Sequence, residues 1–259
     1  MDIKQFTQDF VEQLEKGKVV AITGAGMSTA SGIRDFRGDN GLYLENVNAE
    51  DILTKDYFES NTKEFYDFYR EHMIISDDIK PNEGHYFLKS LEDGKLLNGV
   101  ITQNIDGLDL KAGLSNVIEI HGNGRTYSCV SCKEKYGSDA ILNSTGIPRC
   151  NKCGGILRPN IVFYKEKPKY FDQLSAHELV LGSKTLLIMG STVYVESIAP
   201  LVKEFYISRI YRKNCVSDSK IFVVNKGKTA LDGFQNIEKY DGLISDFTEE
   251  YQRVRKTKF

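Results

Sequence analysis

Four cysteines occur as two Cys-x-x-Cys pairs, Cys129/Cys132 and Cys150/Cys153, with 17 residues between the pairs. Four thiolates at this spacing can close a tetrahedral site around Zn²⁺, and such a site leaves no open position for water. The sequence therefore predicts a structural zinc. Unligated thiols, a redox pair or an iron–sulfur centre are the alternatives that the spacing leaves open. Cys215 stands apart from these pairs and carries no predicted role.

The turn Gly24-Ala25-Gly26 is a second candidate for chemistry, because it follows the apolar run Val19–Thr23. A glycine turn at the end of a buried strand lets the backbone approach a pyrophosphate closely. Thr29 stands where the third small residue of the Gly-x-Gly-x-x-Gly fingerprint belongs. No acidic residue follows at the end of a second strand to bind a ribose, so an ordinary hydride-transferring dehydrogenase fits poorly. By itself, the turn is equally compatible with a simple tight turn.

Polar residues follow two further apolar runs where each run ends. Gln103-Asn-Ile-Asp106 comes after residues 100–102, and His121 comes after residues 117–120. Because ligands bind at the carboxyl ends of strands in open α/β sheets, we expect these residues to face one crevice. His121 is the candidate general base, since an imidazole titrates near neutral pH. A satisfied structural histidine is the alternative.

The elements that must position these residues are strands that alternate with helices. Apolar runs typical of buried strands recur at Thr185–Met189 and at residues 221–224, and helical patterns lie between them. This alternation predicts an α/β fold with a parallel sheet. Residues 39–80 carry aromatic side chains at helical spacing, which indicates two or three short helices. Residues 123–157 are polar and rich in Cys, Gly and Ser, which indicates an insertion folded around a metal.

Composition excludes several classes of protein. The chain has 259 residues, of which 41% are hydrophobic and 27% are charged, with a net charge of −2. This balance disfavours a nucleic-acid partner. No apolar run approaches the roughly 20 residues that span a bilayer, and the N-terminus lacks the apolar core of a signal peptide. We expect a cytoplasmic protein with no membrane partner, and the sequence leaves the oligomeric state open.

Together these motifs resemble the sirtuin family of NAD-dependent protein-lysine deacylases. The resemblance rests on residues 24–38 (GAGMSTASGIRDFRG), Gln103-Asn-Ile-Asp106, His121-Gly122 and the four cysteines in their order. Weaker matches extend it over nearly the whole chain, at residues 159–163, 190–192 and 224–225. The resemblance implies that NAD is consumed: the nicotinamide–ribose bond breaks, the acyl group passes to ADP-ribose, and free lysine is released from a protein substrate.

The resemblance also implies a domain organisation. A Rossmann-like NAD-binding domain would comprise residues 1–38, 85–122 and 158–259. A smaller domain would be made of a helical insertion, residues 39–84, and a four-cysteine zinc-binding insertion, residues 123–157. The polar segment after the glycine turn would then be a lid that closes over NAD, excludes water and lets product leave.

The roles of individual residues follow from the same resemblance. His121 would be the general base that acts on a ribose hydroxyl, with Asn104 and Asp106 as further catalytic residues. The implied NAD-binding residues are Gly24, Ala25, Gly26, Ser28, Asp35, Phe36, Arg37, Gln103, Asn104, Ile105, Asp106, Gly190, Ser191 and Asn225. The implied substrate-binding residues are Val162 and Phe163, at the acyl-lysine tunnel, and Tyr66.

Two departures from the family pattern bear on these roles. Lys165 replaces the glycine of a Phe-Gly-Glu segment, and Gly227 replaces a carboxylate that binds ribose in the family. From the resemblance we expect the first to change peptide recognition and the second to weaken NAD binding. Acyl preference is a separate question. Desuccinylating relatives place Arg three residues after Tyr, whereas here Tyr69 follows Tyr66 at that spacing and Arg70 lies one step, about 100°, further round the helix. We therefore expect neutral acyl groups, acetyl first.

Other functions remain open at this level. A protein ADP-ribosyltransferase or an NAD hydrolase would break the same bond with the same residues. A non-catalytic NAD-sensing interaction protein is a third interpretation, although such a protein would need no general base.

Overall fold

The computed structural model of the chain describes residues 1–35, 49–211 and 218–258. Its strands are β1 Val19–Thr23, β2 Leu97–Thr102, β3 Val117–Glu119, β4 Gly122–Cys129, β5 Lys135–Gly137, β6 Leu157–Ile161, β7 Thr185–Met189, β8 Lys220–Val224 and β9 Ile237–Tyr240. Six strands form one sheet in the order β3-β2-β1-β7-β8-β9, and all neighbouring pairs in it are parallel. The other three form an antiparallel sheet in the order β5-β4-β6. The predicted α/β fold with a parallel sheet is confirmed.

Helices cover both faces of the parallel sheet, and further helices pack against the antiparallel sheet. They are α1 Ile3–Leu14, α2 Ala49–Ile52, α3 Lys55–Ser60, α4 Thr62–His72, α5 Glu83–Asp93, α6 Leu108–Lys111, α7 Asp139–Leu142, α8 Tyr170–Leu181, α9 Ala199–Phe205 and α10 Ile244–Lys258. A short π-helical segment, Tyr206–Tyr211, follows α9. None of the helices in the described ranges is both long and apolar enough to cross a membrane.

The central strands are apolar along their whole length because both of their faces are buried. All five residues of β1 are buried. Successive side chains of a strand point to opposite faces, so Val19 and Ala21 join the core beneath α1, α5 and α10, whereas Val20 and Ile22 join the core beneath α8 and α9. Burial on two sides explains why this strand reads as a continuous apolar run rather than an alternating one.

The antiparallel sheet and the helices α2, α3 and α4 share a third core, which is largely aromatic. Phe65 stacks on Tyr69 at a ring-centroid distance of 5.6 Å, and Phe163 lies 5.4 Å from Phe65. Each such pair stabilises the core by about 0.5–1.5 kcal/mol beyond the area it buries. The second sheet extends to Ile161, four residues beyond the predicted end of the zinc insertion at residue 157. Residues 49–74 and 127–164 thus contribute to one hydrophobic core.

Candidate functional site

A cleft runs along the carboxyl ends of β1, β2, β7 and β8, between the parallel sheet and the aromatic core. It brings together predicted site residues from six separate stretches of the sequence. The predicted site residues that line it are Gly24, Ala25, Gly26, Ser28, Asp35, Gln103, Asn104, Ile105, Asp106, His121, Val162, Phe163, Gly190, Ser191 and Asn225. The cleft therefore lies where open α/β sheets bind their ligands.

The floor of the cleft is made by two turns that pack directly on each other. A Cβ atom at Gly24 would lie 2.7 Å from the Gly190 carbonyl oxygen and 2.9 Å from Ser191 Cβ, and one at Gly26 would lie 2.9 Å from Gly190 Cα. The Gly26 amide donates to the Gly190 carbonyl oxygen at 3.0 Å. Gly190 itself has a φ of 61°, in the left-handed region that favours glycine. The glycines are thus required by contact between two strand ends, which the sequence analysis had not foreseen.

A hydrogen-bond network joins the ends of β1 and β2. Ser28 Oγ donates to Asp106 Oδ2 at 2.6 Å, and Asn104 Nδ2 donates to Ser28 Oγ at 3.1 Å and to the Gly24 carbonyl oxygen at 3.0 Å. The second Asp106 oxygen, Oδ1, accepts from the Leu108 amide at 2.8 Å. Each of these side chains is held in one orientation, so the amide and the carboxylate present fixed edges to the cleft.

His121 follows β3 and is half-buried at the wall of the cleft. Its Nδ1 lies 2.9 Å from the Gln103 carbonyl oxygen, and its Nε2 lies 2.7 Å from Ser197 Oγ. Since a carbonyl oxygen only accepts, Nδ1 carries the proton of the neutral ring and Nε2 is the basic nitrogen. Burial lowers the pKa of His121, which the Gln103 carbonyl raises to a lesser degree. The imidazole is thus neutral near pH 7 and able to accept a proton at Nε2.

Gln103 and Ser191 connect β2 to β7 in the same way. Gln103 Nε2 donates to Ser191 Oγ at 2.7 Å and to the Thr23 carbonyl oxygen at 3.3 Å. Asn104, His121, Gln103 and Ser28 therefore form one connected polar wall.

Asn82 fixes the segment that leads from the glycine turn to the predicted lid, and sequence reasoning had not assigned it a role. Its Nδ2 donates to the Met27 carbonyl oxygen at 2.8 Å and to Ser31 Oγ at 2.9 Å. Its Oδ1 accepts from the Gly84 amide, and its own amide donates to His85 Nδ1, which together cap α5. In the sequence, Asn82 is recognisable only as the capping residue at the start of a helix, a pattern that predicts a structural role and not a functional site.

The predicted lid is described only as far as Asp35. Gly32 has a φ of 85° and ends a short 3₁₀ turn, after which Asp35 lines the cleft. Phe36 and Arg37, for which NAD contacts were predicted, lie outside the described residues, so their roles stay predictions. Cys215 also lies outside the described residues.

The four paired cysteines converge at one point. Their Sγ atoms all lie within 4.8 Å of one another, with Cys129 and Cys153 at 3.4 Å and Cys132 and Cys150 at 3.5 Å. A tetrahedron with Zn–S bonds of about 2.3 Å has edges of about 3.8 Å, so this donor set fits zinc. Tyr136 Oη donates to Cys150 Sγ at 3.1 Å, which lowers the pKa of that thiol and favours the thiolate that a metal requires. The four cysteines are not joined by disulfide bonds.

Comparison with known proteins decides the family. A family model described as the Sir2 family matches residues 24–197, which is more than half of the chain. The chain belongs to the Sir2 family. An NAD-dependent protein deacetylase of Sulfurisphaera tokodaii is 41% identical over 238 residues, covering 90% of this chain and 87% of that protein. One of Clostridium acetobutylicum is 36% identical over 237 residues, covering 90% of each chain.

Solved structures of Sir2 proteins share the fold at similar identity. A Sir2 protein with a deacetylated p53 peptide and 3′-O-acetyl ADP-ribose superposes with a TM-score of 0.86 at 35% identity, covering 95% of this chain and 97% of the other. A Sir2 complex with a p53 peptide and NAD⁺ gives 0.85 at 33% identity, covering 99% and 100%. The predicted family and fold are therefore confirmed.

The two departures from the Sir2 pattern each have a local structural setting. Lys165 adopts a φ of 68°, a left-handed conformation that strains every residue more than it strains glycine. Its side chain is exposed at the rim of the cleft. Gly227 has a φ of 85°, and its amide donates to Asp241 Oδ1 at 2.7 Å. A glutamate would be strained at that backbone geometry. The turn that follows Asn225 is thus built for glycine rather than for a ribose-binding carboxylate.

Tyr66 lies apart from the cleft. Its side chain is fully buried in the aromatic core, and its hydroxyl donates to the Leu157 carbonyl oxygen. This position gives no support to the expected contact with substrate. Arg70 is likewise turned away, since it donates to Ser144 Oγ at 3.0 Å and to the Gly146 carbonyl oxygen. Neither side chain is among the residues that line the described cleft.

Proposed function

We propose that this chain is an NAD-dependent protein-lysine deacetylase. It would break the nicotinamide–ribose bond of NAD, transfer the acyl group of an acyl-lysine to ADP-ribose, and release nicotinamide and free lysine. The observation that carries the proposal is the neutral imidazole of His121, with its basic Nε2 on the wall of a cleft shared with Asn104 and Asp106. The names of the relatives support it, because they are NAD-dependent protein deacetylases.

The polar groups of the cleft suit NAD by their chemistry. Hydroxyl, amide, carboxylate and imidazole groups converge at three strand ends, and together they match ribose hydroxyls and a carboxamide. When bound, NAD supplies the ribosyl carbon that accepts the acyl oxygen and the nicotinamide that leaves. In our proposal the Gly24-Ala25-Gly26 turn and Ser28 hold the phosphate side, and Gly190, Ser191 and Asn225 hold the adenosine side.

The remaining residues of the cleft act on the reacting end. Gln103 and Asn104 would bind the ribose next to nicotinamide, and Asn104 would also place a water molecule. Ile105 and Asp106 would bind the carboxamide, with Asp106 held in orientation by Ser28 and the Leu108 amide. His121 Nε2 would accept the proton of a ribose hydroxyl as that oxygen attacks the acyl carbon.

The acyl-lysine would enter between the polar wall and the aromatic core. Val162, whose amide donates to the His121 carbonyl oxygen at 2.8 Å, and Phe163 line that part of the cleft. Because Arg70 is engaged elsewhere, it offers no partner to an acidic acyl group, which supports a preference for acetyl. We also propose a cytoplasmic location, because paired Cys-x-x-Cys motifs that can bind a metal are typical of proteins from reducing compartments.

Replacing His121 tests the catalytic assignment. General-base catalysis contributes roughly 10²–10⁴-fold, so we expect His121→Ala to lower kcat/KM for deacetylation by about that factor and to keep the fold. His177→Ala is the matched control, because His177 pairs with Glu204 on the surface. The proposal for His121 fails if the rate of His121→Ala stays within about threefold of the control.

A further inference from the structure

The basic nitrogen of His121 already has a hydrogen-bond partner in the free protein. Nδ1 donates to the Gln103 carbonyl oxygen, so the single lone pair of the neutral ring is on Nε2. The Ser197 hydroxyl lies 2.7 Å from Nε2 and must therefore be the donor. This lone pair is the one that a general base needs, and Ser197 occupies it.

Ser197 stands where it can be reached from the cleft. It lies between β7 and α9, lines the cleft and is half-buried. Its backbone is held by the adjacent turn, in which the Ile198 amide donates to the Val195 carbonyl oxygen at 3.0 Å. Within the described part of the chain, its hydroxyl makes no hydrogen bond other than the one to His121.

The other polar side chains at this wall are paired among themselves. Gln103 Nε2 is directed to Ser191, and Asn104 is directed to Ser28 and to the glycine turn. No described charged side chain contributes to the pKa of His121, which is set by burial and by the Gln103 carbonyl. Ser197 is therefore the one described side chain that fixes the Nε2 end of the ring.

We propose that Ser197 is a positioning residue for His121, an inference that rests on the proposed deacetylase function. Its hydroxyl donates to Nε2 in the free protein, holds the ring in one orientation, and gives up this lone pair when a ribose hydroxyl binds. The ribose O–H then donates to Nε2 and passes its proton there as the ribose oxygen attacks, while Ser197 keeps its own proton. Hydrogen bonds at both Nδ1 and Nε2 thus keep the imidazole in one orientation until the cofactor binds.

The test compares Ser197→Ala, Ser197→Thr and a control, Ser208→Ala. Ser208 follows α9, and its hydroxyl donates to the Phe205 carbonyl oxygen at the end of that helix at 3.4 Å. NMR titration of His121 is the first readout and needs no catalysis. Loss of a donor to the neutral ring removes an interaction that favours the neutral form. We expect the His121 titration midpoint of Ser197→Ala to move to higher pH, and those of Ser197→Thr and of the control to stay at the wild-type position.

The second readout is kinetic. We expect Ser197→Ala to keep kcat within about threefold of wild type, because the hydroxyl has already left Nε2 in the bound complex. KM for NAD should fall roughly three- to tenfold, because the ribose hydroxyl no longer has to displace one hydrogen bond. When kcat/KM is measured as a function of pH, its fall on the acidic side should occur at a higher pH for this variant than for wild type. Ser197→Thr should restore both.

The outcomes separate this inference from the proposed function. If wild type shows no deacetylation, the proposed function fails, whereas the NMR titration still decides whether Ser197 contacts Nε2. If the His121 midpoint is the same in Ser197→Ala and wild type, the positioning role is refuted. A rise in KM for NAD with unchanged kcat would make Ser197 a ribose-binding residue and would also overturn the proposal.

Discussion

Replacing Gly24 by Ala tests whether the floor of the cleft is held by contact between two turns. The added Cβ would lie 2.7 Å from the Gly190 carbonyl oxygen and 2.9 Å from Ser191 Cβ. Ordinary contacts of these kinds are about 3.3–4.0 Å, so the turns would have to separate by roughly 0.5–1 Å. The obstructing oxygen accepts the Gly26 amide, so moving it also weakens that hydrogen bond.

Overpacking of this kind typically costs about 1–3 kcal/mol in the free energy of unfolding. For a chain of this size, each kcal/mol lowers the melting temperature by roughly 2–4 °C, so we expect a fall of about 2–12 °C. NAD affinity should fall as well, because both turns line the cleft.

Thermal and urea unfolding of Gly24→Ala should be compared with those of Gly137→Ala. Gly137 is the matched control, since no atom lies within 4 Å of its added Cβ and its φ is not positive. We expect the control to match wild type or to gain a few tenths of a kcal/mol. Wild-type stability of Gly24→Ala combined with lost NAD affinity would refute the packing argument and would assign Gly24 to ligand approach alone.

Three further predictions concern other parts of the chain. Lys165→Gly should raise the free energy of unfolding by roughly 0.5–1 kcal/mol in urea titrations, because it removes left-handed strain; Lys167→Gly, without such strain, should not, and equal effects would contradict this account. Burial raises the pKa of Asp109 to about 7, with Asp106 as a smaller cause. The neutral Asp109 carboxyl contributes its full stability below the ordinary pKa near 3.8, and this contribution is lost as pH rises through 7. Asp109→Asn should therefore increase the free energy of unfolding, relative to wild type, by roughly 2–3 kcal/mol more at pH 8.5 than at pH 5. If the difference in unfolding free energy between this variant and wild type is the same at both pH values, the raised pKa of Asp109 is refuted. Metal analysis should find about one zinc per chain, and chelation should lower the melting temperature; less than about a tenth of that content in freshly purified, folded protein would rule out the zinc site.

The parallel sheet and the metal site were predictable because their signals are local. Strands buried on both faces read as short apolar runs, and Val19–Thr23 and Thr185–Met189 fall at the predicted bounds. The Cys-x-x-Cys spacing fixes a ligand set without knowledge of the fold. In the same way, polar residues at strand ends predicted one crevice, and the structure brings them into one cleft.

The pairings inside the cleft could not be predicted, because they join residues far apart in sequence. Ser28 and Asp106 are separated by 78 positions, and His121 and Ser197 by 76. A serine hydroxyl has no pattern of its own, so only the fold shows which one meets the imidazole. The position of Tyr66 in the aromatic core could not be predicted for a related reason: helical spacing shows which residues share a face, but not whether that face meets the cleft or the core.

The central claim is that the cleft consumes NAD in order to remove an acyl group from lysine. Mass spectrometry of a reaction with purified protein, NAD and an acetyl-lysine peptide tests it most directly, with succinyl-lysine and unmodified peptides alongside. Our account predicts nicotinamide, acetyl-ADP-ribose and a peptide lighter by one acetyl group, with little turnover of the succinyl peptide. Nicotinamide accompanied by free ADP-ribose, or by a heavier ADP-ribosylated protein, with the acetyl peptide unchanged, would contradict it.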